Sequence, residues 1–173
     1  HLTIDDPNKL AAIEIRHYTE LTWSWKVHIP REGRFVLYSK LNGLPSDIAA
    51  KVTDVPAKIE GSRSYEDGGY AIALPPGETT VRTSLRPQSN GEIEFHLSTD
   101  KRAFDSTFPV DRGSWPHVRD SSTSIGVRPE SHEQSPDKPL VLLSLRADGN
   151  TPPAKRTAPD DNTDGFRIWI EQV

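Results

Sequence analysis

The run Leu21-Thr22-Trp23-Ser24-Trp25-Lys26-Val27-His28-Ile29-Pro30 alternates apolar and polar residues over nine positions and then stops at a proline. Successive side chains of a β-strand point to opposite faces. The pattern therefore predicts a strand whose Leu21, Trp23, Trp25, Val27 and Ile29 are buried and whose Thr22, Ser24, Lys26 and His28 meet water. Two of the four tryptophans lie on the buried side, and each such ring buries about 150–250 Å². A strand that carries this much apolar surface on one face needs a second layer to cover it. It predicts the keel of a β-sandwich, with Trp23 and Trp25 in the core.

The other periodic runs are short and of the same kind. Ala12-Ile13-Glu14-Ile15-Arg16 alternates as a first strand. Arg34-Phe35-Val36-Leu37-Tyr38 is almost continuously apolar, as in a strand covered on both faces. Its close link to the Trp strand through Arg31-Glu32-Gly33 predicts a hairpin. Leu44 to Lys51 reads as one helical turn capped by Ser46, and Val52 to Ile59, interrupted by Pro56, as an edge strand. Tyr70 to Leu97 predicts a three-stranded meander, with turns at Pro75-Pro76-Gly77-Glu78 and Pro87-Gln88-Ser89-Asn90-Gly91. From Ser98 to Pro139 periodicity is lost, apart from a short strand at Ser124-Ile125-Gly126-Val127. Leu140 to Leu145 is the most hydrophobic run and predicts a central strand, and Phe166 to Glu171 a final one.

About eight strands separated by turn signals define an all-β chain, an antiparallel β-sandwich of jelly-roll or Ig-like topology. The 15 prolines and 11 glycines suit many turns rather than long helices. At 173 residues the chain is long enough for one core. The expectation is a single domain over 1–173, with residues 1–9 as a lead-in linker and 98–139 as one long irregular loop.

Composition removes several function classes. With no cysteine there is no disulfide, thiol nucleophile or thiolate metal site. A net charge of −4 without a Lys/Arg cluster gives no sequence-independent attraction to nucleic acid. No apolar run approaches the roughly 20 residues that span a bilayer. No G-x-S-x-G, P-loop, G-x-G-x-x-G or H-E-x-x-H spacing occurs. The absence of methionine, including at the first position, is expected of a processed or trimmed chain.

Three groups of residues carry candidate chemistry. Asp160, Asn162, Asp164, Gly165 and Glu171 match the spacing of an EF-hand calcium loop, in which alternate oxygens surround the ion. The Pro-rich run before them forms no entering helix, and Phe166 to Ile170 reads as a strand, so a turn-rich hairpin loop competes with calcium as the explanation. No cofactor other than that calcium is expected. The long loop holds Asp105, Asp111, His117, Asp120, Glu130, His132 and Glu133, which could divide acid and base roles or be no more than loop polarity. His28 and His96, with His17, lie on wet faces that neighbouring strands could bring together. Among the aromatics, Trp169 and Tyr18 alternate away from their neighbours' apolar face, and Trp115 sits in Gly113-Ser114-Trp115-Pro116-His117. A flat exposed ring with Asp111, His117 and Arg119 nearby fits a sugar, and a loop anchored by Trp115 is the competing explanation.

Leu2-Thr3-Ile4-Asp5-Asp6-Pro7-Asn8-Lys9, the Trp strand and Pro75-Pro76-Gly77-Glu78 together resemble an uncharacterised planctomycete-type bacterial family. The resemblance implies an N-terminal membrane segment, a brief helical stalk and one domain outside the membrane. It implies no activity and no functional residue. The expected role is a non-catalytic extracytoplasmic domain that binds or supports, its partner a glycan or a protein. A carbohydrate- or ligand-binding module using 98–139 is the first alternative, and a small hydrolase with loop carboxylates the second. Nucleic acid is not an expected partner, and the membrane enters only through the N-terminal segment.

Overall fold

The computed structural model describes residues 1–15, 21–41, 62–64, 69–109, 122–126, 131–147 and 165–173. These form two six-stranded antiparallel sheets, so the all-β sandwich is what the chain adopts. The first sheet, sheet A, has the order β10-β1-β2-β6-β7-β8. Its strands are β1 (Leu10–Ile15), β2 (Thr22–Ile29), β6 (Gly77–Pro87), β7 (Glu92–Ser98), β8 (Ala103–Pro109) and β10 (His132–Gln134). Sheet B has the order β4-β5-β3-β12-β11-β9. It is built from β3 (Phe35–Leu41), β4 (Ser62–Ser64), β5 (Tyr70–Leu74), β9 (Ser122–Gly126), β11 (Leu140–Ala147) and β12 (Gly165–Gln172).

β2 alternates as its sequence requires, with Trp23 8% and Trp25 1% exposed. Its inward residues meet Val81, Leu85, Phe95 and Leu97 of the same sheet and Leu37, Ile72, Phe166, Ile168 and Ile170 of the other in one continuous core. Phe95 meets Phe166 edge-to-face across the two layers, at a centroid separation of 5.2 Å. Tyr70 stacks on Phe104 where the β5 side of sheet B faces the β8 edge of sheet A. β11 lies between β12 and β9, an interior strand as its hydrophobicity predicts.

Four expectations need correction. β2 and β3 are not a hairpin, since they belong to different sheets. β2 has one polar face, whereas β3 buries Phe35 and Leu37 inward and Val36 and Tyr38 outward, the latter two in a second buried cluster on sheet B. The link 30–34 therefore crosses between layers. Likewise β5 pairs with β3, and the meander is β6-β7-β8. Pro75 and Pro76 have fixed φ and no donor, unlike the primed turns of tight hairpins, and Gly77 at φ 104° turns the chain into sheet A. The 98–139 loop contains β8, β9 and β10. β8 is an edge strand with Asp105 and Thr107 exposed, and β10 is only three residues long, so neither writes a clear alternation into the sequence. Finally, residues 1–9 are not a free linker: Leu2 is 5% exposed and the segment is fastened to β10. The predicted helical turn at 44–51 and edge strand at 52–59 lie outside the described residues.

The register gives the sandwich two unlike ends. At one end, links 30–34, 75–76 and 135–139 pass directly between sheets, and both Leu10 and Gln172 lie there. Val173 N–H donates to Arg34 O at 3.0 Å at the same end. This is the terminal end. The opposite end carries the strand limits Ile15, Leu41, Ser64, Pro109, Ser122, Ala147 and Gly165. The connections 16–20, 42–61, 65–68, 110–121 and 148–164 all leave from it. This is the loop end.

Candidate functional site

At the terminal end a carboxylate clasps the first residues. Glu133 on β10 lies opposite Ala11 of β1. Its Oε1 accepts the backbone N–H of Asp5 at 2.7 Å and of Asp6 at 3.0 Å, and Lys9 Nζ stands 3.5 Å from Oε2. These donors, the Asp6 amide first, hold the Glu133 carboxyl below its usual range. Ser131 Oγ accepts Thr3 N–H at 2.9 Å, and His28 Nε2–H donates to Pro7 O at 3.1 Å. Asp6 Oδ1 caps Asn8 N–H at 2.9 Å, an Asx turn written by Asp6-Pro7-Asn8. Beside the clasp an open cleft of about 620 Å³ is lined by Asp6, Lys9, Glu32, Gly33, Ser135 and Gln172, among others.

The outer faces of the sheets differ. That of sheet A is polar: Lys26 pairs with Glu78 at 3.4 Å, and Arg82 Nη1 donates to Asp100 Oδ1 at 3.5 Å. Asp100 also accepts Thr80 N–H at 2.7 Å, where β6 runs on past the end of β7, and that bond chiefly lowers its pKa. His96 Nδ1–H donates to Asp105 Oδ1 at 2.6 Å across β7 and β8. The outer face of sheet B is instead buried, with Val36, Tyr38, Ala71 and Trp169 in a second cluster. Trp169 was expected to be an exposed ring. It does point outward, but it is 5% exposed and stacks on Tyr38 at 5.3 Å. Strand periodicity sets the side on which a residue lies, and burial of that side is a separate matter.

The candidate ligand residues Asp111, Trp115, His117 and Arg119 lie outside the described residues, as do Asp160, Asn162, Asp164, Asp120, Glu130, His17 and Tyr18. What the structure fixes is where their connections start and finish. Segment 110–121 runs from Pro109 to Ser122 and segment 148–164 from Ala147 to Gly165, with all four anchor points at the loop end. Glu171 of the calcium spacing is on β12 opposite Val36 and accepts Trp169 Nε1–H at 3.4 Å. The other long-loop residues disperse: Asp105 goes to His96, Glu133 to the clasp, and His132 is exposed. His28 and His96 are also separated. They lie opposite Glu78 and Ser84, six residues apart along β6 or about 20 Å. Among the described residues no three His, Asp or Glu side chains gather as a metal site.

Sequence reasoning missed the Glu133 clasp and the His96–Asp105 pair. Both depend on strand neighbours distant in sequence. The geometry defines a two-sheet antiparallel β-sandwich with polarised ends. No known family, curated protein or solved structure matches the chain.

Proposed function

We propose that the chain is an extracytoplasmic domain, tethered to a membrane on its N-terminal side, whose work is binding at the loop end. The observation that carries this reading is the polarity of the sandwich. The first strand begins and the last strand finishes at the terminal end, while five connections outside the described residues leave from the other. A rigid scaffold that gathers its long connections at one end is how β-sandwiches build recognition surfaces. The resemblance of Leu2–Lys9, the Trp strand and Pro75–Glu78 to membrane-anchored planctomycete-type proteins supports the tether. Among the described residues no helix is long and apolar enough to cross a membrane.

A sugar is the favoured ligand class, because Trp115, Asp111, His117 and Arg119 share connection 110–121. An aromatic ring with hydrogen-bonding neighbours suits a pyranose face. The test is a glycan array probed with the intact domain and with Trp115→Ala. Binding by the first and its loss in the second is expected. No bound glycan would remove the sugar and leave a protein partner.

A further inference from the structure

An edge strand presents a row of backbone groups that must be paired, covered or guarded against stray pairing. β4 and β10 guard theirs by being only three residues long, and residues 3, 5 and 6 are fastened to Ser131 and β10. β9 has five residues, and β8, with seven, is the longest edge. β8 carries no lysine, arginine or glycine and no register shift, and its proline stands at the last position. Among the described residues only β7 pairs with it. Thr99 N–H donates to Arg102 O at 2.7 Å where β7 turns into β8, so these two residues form a hydrogen-bonded pair. Such pairs alternate along an antiparallel ladder. Phe104, Ser106 and Phe108 therefore direct their backbone groups to β7, while Ala103, Asp105 and Thr107 direct theirs away from it. His96 O accepts Thr83 Oγ–H from β6 at 2.8 Å, as this parity requires of the residue opposite Asp105. Ala103, Asp105 and Thr107 are all exposed.

We propose that β8 pairs antiparallel with β8 of a second copy of this chain, joining their A sheets across a two-fold axis at Ser106. In this register Asp105 N–H donates to Thr107 O of the second copy, and Thr107 N–H to Asp105 O of the second copy. Ala103 N–H reaches Pro109 O of the second copy, and Pro109, having no N–H, closes the ladder. Each Asp105 then faces a threonine. Centring the pair on Asp105 would set two carboxylates opposite each other, which is destabilising. Centring it on Thr107 leaves Ala103 outside the pair, and centring it on Phe104 leaves out Thr107 and Pro109. The strand Ala103-Phe104-Asp105-Ser106-Thr107-Phe108-Pro109 is thus complementary to itself in one register. A single strand pair is a small interface, below about 1,200 Å², and belongs to the weak class. The two-fold reverses the strands, so the loop ends of the two copies lie at opposite ends of the joined sheet. The pairing does not depend on what the loop end binds.

The test is sedimentation equilibrium of the folded 173-residue chain at concentrations up to about 1 mM, where a monomer–dimer equilibrium is expected. Thr107→Asp sets like charges opposite Asp105 twice over and should raise the dimer Kd about 2- to 30-fold. Thr107→Lys sets opposite charges there and should lower the Kd by a similar factor. Thr107 is exposed, so both variants should keep the melting curve of the parent. The axis is read separately, because the chain has no cysteine of its own. Ser106 faces its own copy as a non-hydrogen-bonded pair, with Cα atoms about 4.5 Å apart and within reach of a disulfide. Mild oxidation of Ser106→Cys should give a covalent dimer. Thr107→Cys, diagonal to its own copy and beyond about 7 Å, should form one far more slowly. A monomer throughout the concentration range, a Kd that ignores both charged variants, or cross-linking at 107 as fast as at 106 would overturn the proposal.

Discussion

The two ends of the sandwich are built from the same strands and solve different problems. At the terminal end the links are short, cross directly between sheets and are locked by side chains. Gly33 there takes φ 97°, and an added Cβ would stand 2.5 Å from Gln172 Nε2. Glu133 ties residues 1–9 to β10. At the loop end the strands hand over to long polar segments, whose composition is Ser, Asp, Pro and Gly rather than core formers. Conformational entropy explains the division: a long connection costs little to lengthen once its anchor points are rigid. One end therefore holds the fold, and the other is free to vary in chemistry.

The largest expected effect is in the core that serves both ends. Trp25→Ala should cost about 3–5 kcal/mol in denaturant unfolding. Trp25→Phe should cost clearly less, because Trp25 Nε1 is buried without a hydrogen-bond partner and its loss leaves nothing unpaired. A small cost for Trp25→Ala would mean that the keel does not bear on either end.

Next comes the terminal end itself. Gly33→Ala should cost about 1–3 kcal/mol from strained backbone and the clash with Gln172. Gly77→Ala, at φ 104° but with nothing within 4 Å of the added carbon, should cost only about 1 kcal/mol. Equal costs would show that Gly33 is not tightly enclosed.

The clasp is smaller and depends on pH. The folded pKa of Glu133 is depressed from about 4.5, so its contribution is full above that value and is lost as pH falls through the folded pKa. In Glu133→Gln, melting temperatures followed from pH 7 to pH 3 should fall less steeply on the acid side than in the parent chain. Parallel acid limbs would break the clasp.

The smallest effect belongs to the loop end. A four-residue Gly-Ser insertion between Gly149 and Asn150 should cost less than about 0.6 kcal/mol, the cost of doubling a flexible loop. A loss of several kcal/mol there would make the two ends alike.

The keel was legible from sequence because alternation in Leu21–Ile29 has one physical cause, a strand with one dry face. The assignment of strands to sheets was not legible. β2 and β3 are adjacent in the chain, and only the double-sided burial of Val36 and Tyr38 separates them into different layers. β8 escaped notice because an edge strand needs few apolar residues, and Phe104 alone among its described side chains packs on the core. His96 and Asp105 were each visible as polar residues, but their pairing needed the β7–β8 register. Periodicity reports which side a residue takes, while register and layer are set by contacts between distant segments.

Whether binding belongs to the loop end is decided by orientation. Because the chain has no cysteine, Val173→Cys at the terminal end and Ser89→Cys in the 88–91 turn at the loop end each provide a single thiol for immobilisation. Each tethered domain is then exposed to soluble glycans taken from the array. Binding is expected when the domain is held through position 173, and its loss when it is held through position 89. Equal binding in both orientations, or binding only through position 89, would contradict it.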